Sequence, residues 1–282
     1  MNRRVPNVLL NTLENWFIKC YTCVRWCSAW SGFFRLKCGV RQGGVLSPQL
    51  FAVYIDDVIK AVQSQKSGCF MRHVCINIIL YADDILLLSP SIEGLQQLLN
   101  VCESVINSLG LSLNNKKSVC MRVGSRHLAD CANIKTINGN VLTWVKELRY
   151  LGIYLVSSSK YKCNFSYAKK SFYRSFNAIF GRVGRLASEE VVLHLIKAKC
   201  LPVLLYGIEV CPVNLSDMRS FEFTVKRILI KLFRTYDSGI IVSCMSFFGL
   251  PTVSELIDQR KIRFLLKCNV LDNLFCMVCK VQ

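Results

Sequence analysis

Two tetrapeptides of this sequence share the form Tyr-x-Asp-Asp: Tyr54-Ile55-Asp56-Asp57 and Tyr81-Ala82-Asp83-Asp84. Adjacent carboxylates repel one another, and each loses hydration when partly buried, so such a pair is costly unless a cation sits between them. Magnesium suits the task, because it takes one or two carboxylates and fills its other positions with water and phosphate oxygens. Paired ions of this kind activate a hydroxyl nucleophile and steady a leaving pyrophosphate. Aspartate is also an ordinary turn residue. The tetrapeptide therefore decides nothing without the elements that carry it.

Those elements differ. Arg41-Gln42-Gly43-Gly44-Val45-Leu46-Ser47-Pro48 reads as a glycine turn followed by a helix N-cap at Ser47 and a first helical position at Pro48. Phe33 to Val40 before it has the look of a strand. The helix has an apolar stripe of Phe51, Tyr54, Ile55, Val58, Ile59 and Val62, which places the first aspartate pair off the stripe on a solvated face. The second pair lies between Cys75–Tyr81 and Ile85–Leu88, two apolar runs that read as the strands of a hairpin. Its turn can present carboxylates to a cleft. Ser89-Pro90-Ser91 ends the hairpin, and Leu95, Leu98, Leu99, Cys102, Val105, Ile106 and Leu109 mark a long amphipathic helix closed by Gly110. Near the start, Leu9, Leu13, Trp16, Phe17 and Cys20 share one helical face and are expected to be core.

In this context the chain resembles the palm and thumb of a reverse transcriptase of the non-LTR (LINE-like) retrotransposon type. Arg41 to Phe51 resembles the family's template- and nucleotide-positioning turn and helix, and Tyr81-Ala82-Asp83-Asp84 resembles its metal-binding hairpin. Gly110-Leu111-Ser112-Leu113-Asn114-Asn115-Lys116-Lys117-Ser118 resembles the motif that follows, and Leu148-Arg149-Tyr150-Leu151-Gly152-Ile153 resembles the primer-grip hairpin. Leu204 to Val210 looks like the region after the thumb. The order of the motifs, more than any one of them, is specific.

The resemblance implies an α+β fold: a partial polymerase palm, an antiparallel sheet with helices, over residues 1–156. A basic helical thumb-like region at 157–200 and a helical extension at 201–282 would follow. It implies Asp83 and Asp84 as catalytic metal ligands for Mg2+, in a two-metal site that this chain leaves incomplete. Arg41, Gln42, Gly43, Tyr81 and Lys117 would contact template or nucleotide, and Tyr150, Leu151 and Gly152 the primer. Tyr81 reads equally as a core aromatic ending a strand, and Lys117 as a solvated neighbour of Lys116. The implied partners are an RNA template, an RNA–DNA hybrid or DNA primer, and deoxynucleotides as the small-molecule substrate. A non-catalytic nucleic-acid-binding module on the same scaffold is the alternative.

Composition agrees with a polyanionic partner. Lysine and arginine number 36 against 18 aspartates and glutamates, a net charge of +18, while 52% of the residues are hydrophobic and 19% charged. That balance excludes a disordered acidic chain. Between Lys160 and Lys199, basic side chains alternate with Tyr161, Phe165, Tyr167, Phe172, Tyr173, Phe176 and Phe180, opposed only by Glu189 and Glu190. Such a face suits gripping a duplex backbone without a base-specific code. The sixteen cysteines are scattered and no secretory leader precedes them, so they are expected to be reduced, mostly buried thiols. Cys20-x-x-Cys23 and Cys276-x-x-Cys279 lie too far apart in sequence to suggest zinc. No apolar run is long enough to span a bilayer, and residence inside the cell, nuclear or cytoplasmic, is expected.

One element of the resemblance has no counterpart. The family's other catalytic aspartate belongs to a motif upstream of the first helix, yet Glu14 is the sole acidic residue in positions 1–55. The fingers that precede that motif have no match either. A chain truncated at its N-terminus, inactive on its own, is the expectation.

Overall fold

The computed structural model describes residues 6–37, 39, 43–71, 73–184, 186–271 and 276. Arg41, Gln42, Val40 and Cys279 lie outside them. The first half is α1 (Asn7–Ile18), β1 (Tyr21–Thr22), β2 (Arg25–Trp26), β3 (Ala29–Trp30), β4 (Phe34–Arg35), α2 (Ser47–Gln63), β5 (Cys69–Met71), β6 (Val74–Ile76), β7 (Ile78–Tyr81), β8 (Asp84–Leu87), α3 (Ile92–Ser108), β9 (Val119–Cys120), β10 (Ile134–Lys135), β11 (Val141–Trp144), β12 (Glu147–Tyr150) and β13 (Ile153–Val156). The second half is helical: α4 (Ser166–Val183), α5 (Glu189–Leu195), α6 (Leu201–Leu204), α7 (Leu215–Phe233), α8 (Ser238–Phe247) and α9 (Val253–Val270). The α+β class is as expected. Its strands form several small sheets, mostly antiparallel hairpins, and β9 runs parallel to β11 in the three-stranded order β10-β11-β9.

Helix α2 buries Ile55, Val58 and Val62 against Ile78 of β7 and Leu98, Cys102 and Ile106 of α3. This cluster holds the β7–β8 hairpin in place, because Leu80, Ile85 and Leu87 pack on it from the strands. The opposite side of α3 meets the three-stranded sheet through Leu99, Cys120, Ile134 and Leu142. Helix α3 is delimited at both ends by its sequence. The Ser91 hydroxyl accepts from Gly94 N–H at 3.1 Å at its start. At its end Gly110 N–H bonds the Asn107 carbonyl and Leu111 N–H the Ile106 carbonyl, a Schellman closure with Leu111 packed on the same cluster.

Five expectations are corrected. Cys75–Tyr81 is not one strand: it breaks at Asn77, whose buried amide donates to the carbonyls of Val62 at 2.7 Å and Gln65 at 3.2 Å. A buried polar side chain must find partners, and here the partners lie at the end of α2, so β6 joins β5 and β7 joins β8. Helix α2 begins one residue early, with Leu46 in the cap position and Ser47 and Pro48 inside the first turn. The expected strand from Phe33 shrinks to Phe34–Arg35. The α1 stripe is not core: no residue of that helix is buried, and Trp16 and Phe17 are exposed, because no described element covers the face. The cysteines are likewise less buried than expected. Cys102, Cys120, Cys163, Cys200 and Cys211 are buried free thiols, whereas Cys27 and Cys69 are exposed in the small hairpins that no helix covers.

A separate core joins the helices from α4 to α9. Phe172 and Phe176 of α4, Ile196 and Leu204 of the α5–α6 run, Phe221 and Ile228 of α7 and Ile257 of α9 are all buried together. The α5–α6 run carries a π-turn at Ile196–Cys200 just before Pro202, which lacks the N–H to continue the α pattern. Two of these helices are capped by their own side chains through both halves of a capping box, Asn214 with Asp217 on α7 and Thr252 with Glu255 on α9. No helix of the described residues is long and apolar enough to cross a membrane.

Candidate active site

In the β7–β8 hairpin Tyr81 pairs with Asp84, so Ala82 and Asp83 form a two-residue turn. Ala82 takes the left-handed backbone at φ 51°, a conformation that L-residues other than glycine seldom adopt and that turns of this kind require. The turn stands out from the core. Tyr81 is 64% exposed, and Asp83 and Asp84 are exposed as well. The buried-strand reading of Tyr81 therefore fails, and its ring is left on the surface beside the carboxylates.

The other copy has a different fate. Ile55 is 3% exposed and the Tyr54 hydroxyl donates to the Leu109 carbonyl, while Asp56 and Asp57 lie on the solvent side of α2 within ion-pair reach of Lys60, at 2.5 and 3.7 Å. This pair of carboxylates is already neutralised in part by its own helix. Among the described residues no lysine or arginine forms an ion pair with Asp83 or Asp84.

Hairpin β12–β13 carries the residues expected at the primer. Its strands pair from Glu147↔Val156 to Tyr150↔Ile153, leaving Leu151 and Gly152 as the turn with φ of 47° and 84°. Two successive left-handed residues make the turn type whose twist matches a hairpin, although leucine is an unusual occupant. The Tyr150 hydroxyl is buried without a hydrogen-bond partner, and burial, followed by the charge of Asp84, pushes its pKa above the usual phenol range. Of the expected site residues, Asp84 is thus near enough for its charge to be felt at Tyr150.

Lys117 is exposed on a turn built by Asn114, whose carbonyl accepts from the N–H groups of Lys117 and Ser118 at 3.1 and 2.9 Å and whose side chain accepts from those of Lys116 and Lys117. Gly43 has φ 80°, a conformation glycine adopts at no steric cost, with open space where a side chain would point. Among the described residues no hydrogen bond or ion pair joins Gly43 or Lys117 to the carboxylate turn. As metal ligands, Asp83 and Asp84 offer the hard oxygens that magnesium prefers. Among the described residues no group of three or more histidine, cysteine, aspartate or glutamate side chains gathers to hold a metal ion.

Helix α4 supplies the positive charge. Lys170 and Arg174 are exposed on it, whereas Lys169 turns inward and donates to the Ser220 hydroxyl of α7 at 2.7 Å. Its aromatic residues divide: Phe172 and Phe176 are core, and Tyr167 stacks on Tyr154 of β13 with centroids 3.7 Å apart and planes within 5°. Arg149 and Lys170 lie over the outer faces of that stack. The sequence carried no signal for this ladder beyond the spacing of its aromatics.

Comparison of the sequence with known proteins gives its family. The family model for reverse transcriptase (RNA-dependent DNA polymerase) covers residues 4–155 of the 282. The Pol polyprotein of type-2 retrotransposable element R2DM from Drosophila melanogaster is 28% identical over 133 residues, 45% of this chain and 12% of the relative. The Pol polyprotein of type-1 retrotransposable element R2 from Popillia japonica is 29% identical over 205 residues, 69% of this chain and 28% of the relative. The RNA-directed DNA polymerase from mobile element jockey of Drosophila funebris is 28% identical over 185 residues, 62% of this chain and 19% of the relative. The chain spans less than a third of the length of each. With the family model covering more than half of its residues, the chain belongs to the reverse transcriptase family and is related to the polymerases of non-LTR retrotransposons.

Proposed function

We propose that this chain is a nucleic-acid-binding part of a non-LTR retrotransposon reverse transcriptase, with residues 1–156 as a partial palm, 157–200 as a thumb-like region and 201–282 as a helical extension. The observation that carries the reading is the β7–β8 turn, which holds two carboxylates in the open on a hairpin anchored to α2 and α3. Asp83 and Asp84 are the residues that would hold magnesium, and the bound ion would supply charge to steady a leaving pyrophosphate. Arg41, Gln42, Gly43, Tyr81 and Lys117 orient template and nucleotide, and Tyr150, Leu151 and Gly152 position the primer. The basic face of α4 holds the backbone of an RNA–DNA hybrid inside the cell, in nucleus or cytoplasm.

Binding of a fluorescent RNA–DNA hybrid tests this. Affinity should fall by about tenfold or more between 50 and 200 mM salt as fewer counterions are released. Lys170→Glu with Arg174→Glu should weaken it more than Arg263→Glu on α9. Salt-independent binding, or none, would overturn the reading.

A second reading, a non-catalytic binding module, is favoured by one fact: Asp83 and Asp84 gain no third acidic partner among the described residues. Two-metal chemistry needs ions held roughly 3.5–4 Å apart, which one turn does not achieve. The chain alone is therefore expected not to extend a primer on RNA with magnesium or manganese. Extension above an Asp83→Ala control would exclude the binding-module reading.

A further inference from the structure

The turn of hairpin β12–β13 is held by a segment more than fifty residues away in sequence. The Tyr206 hydroxyl donates to the Leu151 carbonyl at 3.1 Å. The ring of Tyr206 also lies against Gly152, so closely that a Cβ there would sit 2.9 Å from Tyr206 Cε1. Gly207 follows in the left-handed region at φ 67°, and a Cβ on it would meet Ile153 Cδ1 at 2.6 Å. Backbone and ring thus close on the turn from two successive residues. A larger residue at either glycine would push the Tyr206 ring or the Ile153 side chain out of its present place.

The clamp is itself anchored from behind. Arg260 of α9 donates to the Leu205 carbonyl at 3.2 Å and pairs with Glu209 at 2.9 Å, so both flanks of Tyr206-Gly207 are tied to the helical core. One pair further from the turn, Tyr154 of the hairpin stacks on Tyr167. Such anchoring matters for a turn whose Leu151 occupies a left-handed conformation that costs a β-carbon about 1 kcal/mol. Without an outside hold, the turn would sample other conformations.

Tyr150 ends β12 at this turn, paired with Ile153. In the reading above Tyr150, Leu151 and Gly152 position the primer, and theirs is the turn that Tyr206 holds. Resting on the nucleic-acid reading above, we propose that Tyr206 is a positioning residue for a nucleic-acid 3′ end: it locks the Leu151-Gly152 turn so that Tyr150 and the carboxylates face that end in one geometry. The C-terminal helices thereby act on the site without touching the substrate.

The test uses the full chain and two RNA–DNA hybrids of equal length, one with a recessed DNA 3′ end and one blunt. The wild-type chain should favour the recessed end. Tyr206→Phe, which keeps the ring and its packing, should cut that preference by about threefold, the worth of one neutral hydrogen bond. Tyr206→Ala should abolish it, leave affinity for the blunt hybrid unchanged, and raise amide exchange at residues 151–153. A preference unchanged in both variants, or equal weakening of both hybrids, overturns the proposal, the latter because a merely structural role predicts it. A wild-type chain that binds both hybrids equally also overturns it while leaving nucleic-acid binding intact. Failure to bind either hybrid overturns the proposed function itself.

Discussion

The two Tyr-x-Asp-Asp copies use one residue pattern for opposite ends. On α2 the tyrosine and the residue after it serve packing: Ile55 enters the core, Tyr54 bonds the end of α3, and the aspartates face Lys60. On the β7–β8 turn the same types are all exposed, and the position that holds Ile55 in the first copy holds Ala82 with left-handed backbone. The difference comes from periodicity. A helix sends residues two apart to different faces and lets the aspartates pair with Lys60 three and four residues on, whereas a two-residue turn has no interior to offer. Identity of side chains is therefore no guide to reactivity until the backbone beneath them is known.

The largest expected contrast is in metal binding. Manganese titrated into isotope-labelled protein should broaden the amide resonances of residues 81–84 and spare those of 54–57, and Asp83→Asn with Asp84→Asn should remove the effect entirely. Broadening centred on residues 54–57 would break the comparison.

Stability should show the reverse contrast. Ile55→Ala removes a side chain that is 3% exposed in the core and should cost about 2–5 kcal/mol in urea unfolding. Tyr81→Ala, at an exposed position, should stay within about 0.5 kcal/mol. Comparable losses in the two variants would mean that the β7–β8 turn is packed, against the geometry.

The core beneath the first copy also has a pH signature. Burial pushes the Cys102 thiol up from 9.0 to about 11, with the charge of Glu103 adding to it. Since the unfolded thiol ionises first, the protein's stability is whole below about pH 9 and is lost as pH rises toward the folded value. At pH 10 Cys102 should account for about 1 kcal/mol of that loss. Melts from pH 8 to 10.5 should show a shallower decline in Cys102→Ala than in wild type. Parallel curves would place Cys102 outside the core of α2 and α3.

The smallest expected effect sharpens the turn itself. Ala82→Gly removes the Cβ that the left-handed backbone strains, partly offset by the freer unfolded chain, and should stabilise the protein by about 0.5–1 kcal/mol. A loss would mean that the Ala82 methyl is packed.

Much of the hairpin, of α2 and of α3 was legible in local pattern, because their apolar stripes and end signals are set within a few residues. Asp83 was placed on a turn by its flanking strands alone, whereas Asp84, expected on that turn, opens β8. Asn77 was not legible as a strand break, since its partners Val62 and Gln65 lie in another element. Nor was the inward turn of Lys169, which depends on Ser220 across the helical core. The α1 stripe shows the converse error, for its periodicity was read correctly and its burial was not: a stripe states that a face wants cover, and only a neighbouring element supplies it.

By itself the sequence determined the family, the order of its motifs, the closure of α3 at Gly110 and which aspartate pair sits between strands, all of them consequences of residue type at short separation. Tertiary structure alone decided that Tyr154 stacks on Tyr167 and that Tyr206 closes on Leu151 and Gly152. Those contacts join residues brought near one another by the packing of hairpins against helices, and no local periodicity carries information about a partner tens of residues away.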